Sequence, residues 1–236
     1  MRRVPTKTAA SGFWQLGEVT QARRAGIWAI NYDPFFSDVV LLLQDSATDS
    51  SLQGQTVTAT GTAAVSGTET KFGTSSFLTN GTANLFEVTS DASLAMPADF
   101  TVESWVFFDS YANNELFRIW RTNTPGNTKP QFSVLSDTLY FDVFGSQLAR
   151  SGALSLSSGT WYHMAASRQG SALKLFLDGT EVASGTTSIS FAADKYLLPH
   201  SFTSSRQLYF DDFRLTVGTS RYNANFTPPT APFPTS

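Results

Sequence analysis

Gly159-Thr160-Trp161-Tyr162-His163-Met164-Ala165-Ala166-Ser167-Arg168, then Leu173-Lys174-Leu175-Phe176-Leu177, Asp178-Gly179 and Glu181-Val182-Ala183 decide the fold. The first run is aromatic and small-apolar and stops at Gln169-Gly170. The second runs straight into Asp178-Gly179. Asp-Gly between two such runs supplies the positive-φ pair of a type I′ turn, the strongest short-range signal for a hairpin. Strands joined so tightly pair antiparallel, because a parallel pair needs a long crossover.

The same pattern extends in both directions. Val39–Leu43 ends in Gln44-Asp45-Ser46, and Gln55–Thr60 stops at Gly61. Ser75–Thr79 meets Asn80-Gly81, a second two-residue turn signal, before Asn84–Val88. Phe100–Phe108 and Glu115–Arg121 follow, the latter closed by Asn123-Thr124-Pro125-Gly126-Asn127. Gln131–Leu135 and Leu139–Phe144 are joined by Ser136-Asp137-Thr138, and Gln207–Leu215 is the last long run. About a dozen short strands with no long helix between them predict an all-β, antiparallel two-sheet sandwich or jelly roll. The proline-rich end, Thr227 to Pro234, lacks ladder donors and is expected to lie extended across the surface or toward a neighbour.

The first residues read differently. Leu16, Val19, Ala22 and Ala25 recur at three-residue spacing, with Glu18 early, Arg23 and Arg24 late, and Gly26 after them. This predicts a short helix over about 17–26. Residues 1–37 are therefore read as a leader or anchor segment and 38–236 as the sandwich. So short a helix needs a surface to pack on, either its own sandwich or a partner. For a partner, the anchoring residues are Phe13, Trp14, Leu16, Val19, Ile27 and Trp28.

Composition excludes several classes. A chain of 236 residues buries about 70% of its unfolded surface without staples. With no cysteine there is no disulfide scaffold, thiolate zinc site or cysteine nucleophile. A net charge of −3 with 15% charged residues fits neither a nucleic-acid-binding surface nor a basic membrane face. The longest apolar run, Val39–Leu43, is strand-sized, so no membrane insertion is expected. No apolar stretch follows Arg2-Arg3, so the expectation is a product made in a cytoplasm with no signal peptide.

Three stretches then resemble a known family. They are Trp161-Tyr162-His163 with Leu173–Gly179, Lys71-Phe72-Gly73-Thr74-Ser75-Ser76, and Asp99–Val106. Together they resemble the core of laminin-G-like jelly rolls in the concanavalin A-like lectin/glucanase superfamily, over residues 38–234. The closing stretch, Phe210–Leu215 with Arg221–Pro234, resembles the copies carried by bacteriophage virion proteins. The resemblance implies a non-enzymatic protein of the virion surface, either a tail fibre or adhesin or a head decoration. Its partners would be other virion proteins, through the leader, and a host-surface glycan. It would form a homo-oligomer such as a trimer. A free or cell-associated lectin is the alternative, and a glycosidase a third. Relatives often hold a structural calcium between the first strand and a late one, which makes Asp45 and Asp212 candidate ligands. This chain departs from many relatives in having Leu43-Gln44-Asp45-Ser46 where they carry a His-Phe-Asp-Gly turn. No other cofactor is implied.

Catalytic residues are not expected. Glycosidases need two carboxylates flanking one bond. Glu103 is alone on its strand, with Asp109 past the strand end, and Glu115 and Glu181 are isolated. Asp211 and Asp212 are adjacent, so on a regular strand they point to opposite faces. His163 alternates with Trp161 and Ala165 as an interior residue would, and His200 reads as a solvated loop residue. Sugars stack on aromatic side chains, and Tyr111, Trp120, Tyr140 and Tyr196 are the candidate glycan contacts. Core or rim packing accounts for the same residues equally well.

Overall fold

A computed structural model describes residues 32–80, 84–111, 116–124, 126, 128–143, 146–201 and 207–236. The leader helix and its anchoring residues, Phe13, Trp14, Leu16, Val19, Ile27 and Trp28, lie outside the described residues. In chain order the strands are β1 (Val39–Leu43), β2 (Val57–Ala59), β3 (Ala64–Ser66), β4 (Ser76–Asn80), β5 (Phe86–Val88), β6 (Phe100–Phe108), β7 (Leu116–Thr122) and β8 (Pro130–Leu135). They continue with β9 (Thr138–Val143), β10 (Ser146–Arg150), β11 (Trp161–Gln169), β12 (Ala172–Leu177), β13 (Thr180–Thr186), β14 (Tyr196–Leu198), β15 (His200–Ser201) and β16 (Gln207–Val217).

All pairings are antiparallel, in two eight-stranded sheets. Sheet A runs β13-β12-β11-β6-β16-β4-β3, with β1 also on β16. Sheet B runs β10-β9-β8-β7-β14-β5-β2, with β15 on β7. The expected hairpin at Asp178-Gly179 forms, with φ of 47° and 75°. Asn80-Gly81 does not make one, because β4 lies in sheet A and β5 in sheet B. His200 sits in β15, backbone-paired with Arg118, rather than in a loop.

The inner faces meet in a phenylalanine-rich core. Phe77 stacks on Phe210 at 4.5 Å and takes Phe86 edge-on at 5.1 Å. Phe100 lies 5.5 Å from Phe141. Aromatic pairs at such offset and T-shaped geometries add to the stabilisation from area burial alone.

Much of the outer face of sheet A is covered as well, by the C-terminal tail and by the segment just before β1. Tyr222 and Phe226 stack at 3.6 Å, and Phe226 packs against Phe176 and His163. Phe226 N donates to Gly179 O, and Lys174 Nζ donates to Asn223 O. Phe233 joins Phe36, Val39 and Leu42 in a second apolar cluster, with the Arg214 guanidinium 3.6 Å above its ring. The proline-rich tail therefore lies across its own sandwich.

Beneath the tail is an ionic layer. Glu103 is fully buried, and its Oε1 accepts from Arg214 Nε at 3.0 Å and Nη2 at 2.8 Å. Its Oε2 accepts from Tyr222 Oη at 2.8 Å and lies 3.2 Å from His163 Nε2. Asp33 bridges Arg214 and Arg221 at 3.2 and 2.7 Å. Burial pushes the Glu103 carboxyl up, but Arg214 and His163 outweigh it and hold the group at about 2.

Two predictions follow from this packing. Gly179 and Gly159 have similar φ (75° and 72°), but a methyl on Gly179 would overlap the Phe226 carbonyl, whereas Gly159 faces open space. Denaturant unfolding should show Gly179→Ala costing about 2 kcal/mol more than Gly159→Ala; equal costs would mean that the tail does not rest on the turn. A carboxyl whose pKa is lower folded than unfolded stabilises the fold above its unfolded pKa, and that stability is lost as pH falls through the folded value. Glu103 should thus contribute about 3 kcal/mol at neutral pH that disappears between about pH 4.5 and 2. Glu103→Gln should flatten that part of the stability–pH curve.

Candidate functional site

Much of the outer face of sheet A lies beneath the tail, with a pocket left beside it between Ser167, Gln169, Ala172, Lys174, Tyr222 and Asn223; the outer face of sheet B carries partly exposed side chains. Its side chains follow from register. Phe132 and Val134 of β8, and Leu139, Phe141 and Val143 of β9, point into the core, so Gln131, Ser133, Tyr140 and Asp142 point out. Regular alternation would send Arg118 and Arg121 to opposite faces. The ladder between β7 and β8 shifts between Arg118 and Trp120, so Trp120 points in and both arginines point out. A second shift, between Gln147 and Ala149, does the same for Gln147 and Arg150 on β10.

Two rows of side chains cross the sheet as a result. One is Arg118–Ser133–Tyr140–Arg150, and the other is Leu197–Arg121–Gln131–Asp142–Gln147. Arg118 Nε donates to Gln131 Oε1 at 2.6 Å, tying the rows together. The Arg150 guanidinium lies 5.1 Å from the Tyr140 ring centre. Burial, opposed by Gln131 and Arg118, pushes the Asp142 carboxyl up to about 6. Burial and then the charge of Arg121 bring Arg118 down to about 10, so it stays cationic at neutral pH. Ser133 Oγ and Asp142 Oδ1 are buried with no hydrogen-bond partner among the described residues. Buried polar atoms in that state are rare in folded proteins and call for an explanation.

Of the four aromatic residues singled out in the sequence, this face carries Tyr140. Trp120 and Tyr196 are corrections. Both are fully buried, their rings cross at 4.8 Å, and Tyr196 Oη donates to the Leu94 carbonyl, so no sugar can reach them. Tyr111 is half-buried, 5.0 Å from Phe108, and its Oη accepts from Asp137 N at 3.2 Å. Arg118, Arg121, Gln131, Asp142 and Arg150 went unremarked in the sequence. Polar residues alternating with Phe, Val and Leu in β8 and β9 were the available signal.

The two candidate calcium ligands belong to a joint between strands. β16 pairs β4 through Gln207–Phe210 and β1 through Phe213–Thr216. Asp212, with φ of 51°, forms a bulge at the change of partner. Hence Asp211 and Asp212 do not alternate as a regular strand would require. Asp211 accepts from the Lys71 and Phe72 amides, and Asp212 from Gln44 Nε2 and Phe233 N. Asp45 accepts from the Thr74 and Ser75 amides, and a methyl on Gly73 would overlap its carboxylate. Each of these three carboxylates faces N–H donors, whose positive ends oppose a cation. Among the described residues no three His, Cys, Asp or Glu side chains gather as a metal site.

Comparison with known proteins agrees with this architecture. Residues 80–214 match the family model of the concanavalin A-like lectin/glucanases superfamily. No curated protein matches the sequence. Among solved structures, the chain is similar to the binding domain of Paraclostridial Mosquitocidal Protein 1, with a TM-score of 0.63 and 13% identity, over 82% of this chain and 50% of that one. It is similar as well to the botulinum neurotoxin serotype C1 binding domain, with a TM-score of 0.63 and 14% identity, over 77% and 49%. The binding domain of botulinum neurotoxin DC in complex with SialylT gives a TM-score of 0.60 and 14% identity, over 77% and 48%. The chain spans about half the length of these structures.

Proposed function

The chain belongs to the concanavalin A-like lectin/glucanases superfamily, and on that premise we propose that it is a non-enzymatic glycan-binding module whose contact surface is the outer face of sheet B. The observation that carries this reading is the asymmetry of the two outer faces. The tail covers much of sheet A, while sheet B presents Tyr140 beside Gln131, Arg118 and Asp142, all four partly exposed. An aromatic platform ringed by a few convergent polar groups suits a sugar, which is apolar on one ring face and hydroxylated at its edge. A similar solved structure is described in complex with SialylT, which supports the same ligand class here.

A binding role fits the carboxylates better than hydrolysis does. Asp142 stands without a second acid in its two rows, and Glu87 is paired with Lys195 at 2.8 Å. Glycoside hydrolysis uses two opposed carboxyl groups.

We assign the module to the surface of a bacteriophage particle, as a tail fibre or adhesin or as head decoration, held by residues 1–37 on other virion proteins. The support is the phage-like closing stretch, Arg221–Pro234. A free or cell-associated lectin is the second reading. Mass spectrometry and electron microscopy of purified particles test the assignment. Many copies over the head indicate decoration, a few at the tail indicate a fibre, and absence from particles overturns it. For the surface itself, Tyr140→Ala should weaken binding on a glycan array by about tenfold with unchanged thermal unfolding. Unaltered binding would remove the face from consideration.

A further inference from the structure

We propose that the pocket beside the tail, on the outer face of sheet A, is a second subsite that takes one neutral sugar ring; it lies on a different surface from the outer face of sheet B and does not depend on that face binding glycan. Register builds its floor. Tyr162, Met164 and Ala166 of β11 and Leu173 and Leu175 of β12 point into the core, so Ser167 and Gln169, and Ala172 and Lys174, point out. Ser167 pairs with Lys174 and Gln169 with Ala172, which sets the four side chains in two adjacent rows. The tail supplies the wall, Tyr222 and Asn223. That wall is held in place. Tyr222 Oη donates to Glu103 Oε2 at 2.8 Å, its ring stacks on Phe226 at 3.6 Å, and Lys174 Nζ donates to Asn223 O at 2.9 Å. The tail that covers the neighbouring part of the sheet thus completes a pocket here, and a preformed site loses little ordering entropy on binding.

The lining selects the ligand. The pocket encloses about 300 Å³, the lower end of the range for small-ligand sites, which suits one ring and not a chain. Gln169 and Asn223 are exposed, and their carboxamides make no hydrogen bond among the described residues. Each offers donors and an acceptor, one from the floor and one from the wall. Such groups match hydroxyls, which donate and accept in turn. Lys174 is the one charged residue of the lining. Glu181 Oε2 takes one of its N–H groups at 2.8 Å and Asn223 O takes another, so the third is left for a ligand oxygen. With its charge already offset by Glu181, the lining has no excess charge to attract an anion. Tyr222 and Ala172 add an apolar portion for the C–H face of a ring. A purely apolar ligand would leave the two carboxamides and the lysine N–H without partners.

The test is a nuclear magnetic resonance titration of the isotope-labelled full chain. The probes are the methyl glycosides of glucose, galactose, mannose and N-acetylglucosamine, with methyl glucuronide as the anionic comparison. At least one neutral glycoside should give saturable amide shifts confined to Ser167–Lys174 and Tyr222–Asn223, and methyl glucuronide should bind no more tightly than methyl glucoside. Gln169→Ala and Asn223→Ala should each weaken binding about fivefold, the worth of one neutral hydrogen bond. Both side chains are exposed, so thermal unfolding should not change. Ala172→Phe, which fills the pocket, should abolish the shifts. Shifts confined to Gln131–Asp142 would overturn the pocket and leave the sheet B reading standing. Binding that survives all three substitutions, or no shift with any neutral glycoside, would also overturn the pocket, while the glycan array continues to decide sheet B. Tenfold tighter binding of methyl glucuronide would overturn the neutral class.

Discussion

The Glu103–Arg214 pair on β6 and β16 is the contact that the rest of the molecule depends on. Opposite charges in a sheet interior must be paired and fully hydrogen-bonded, because removing either partner leaves an uncompensated buried ion. Here the pair recruits Tyr222 from the tail, His163 from β11 and, through Asp33, both Arg221 and the segment before β1. These partners require that the C-terminal tail and the segment around Asp33 fold over sheet A. Once they do, much of that sheet's outer surface is covered, which supports the proposal that recognition uses sheet B.

Ladder shifts do the complementary work. In β16 a bulge lets one long strand change neighbours from β4 to β1, and the carboxylates of Asp211 and Asp212 bind the loops that meet there. In β7 and β10 the shifts bring arginines onto a face that simple alternation would have denied them. In each case an irregularity of one residue decides which side a charge occupies. The joint and the candidate binding face thus share a cause.

Much of the sandwich was legible in the residues. The Asp178-Gly179 turn, the alternating run at Phe100–Phe108 and the apolar Val39–Leu43 specify strands through local backbone preference and burial, and these act over a few positions. The turn signal at Asn80-Gly81 misled for the same reason. A turn signal reports a change of direction and carries no information about which sheet the next strand joins. Trp120 and Tyr196 misled because a large aromatic residue suits a core and a sugar platform equally, and only burial distinguishes them.

The sequence by itself determined an antiparallel β-sandwich, the position of its tightest hairpin and a tail unable to join a sheet, since each follows from local sterics, hydrogen-bonding capacity and periodicity. Only the tertiary structure decided that the tail covers sheet A, that Glu103 is locked beneath it, and that Arg118, Arg121 and Arg150 share a face with Tyr140. Those outcomes depend on register between strands far apart in the chain, and on single-residue shifts in it. No local pattern records such shifts, because their free energy comes from side chains that meet only after folding.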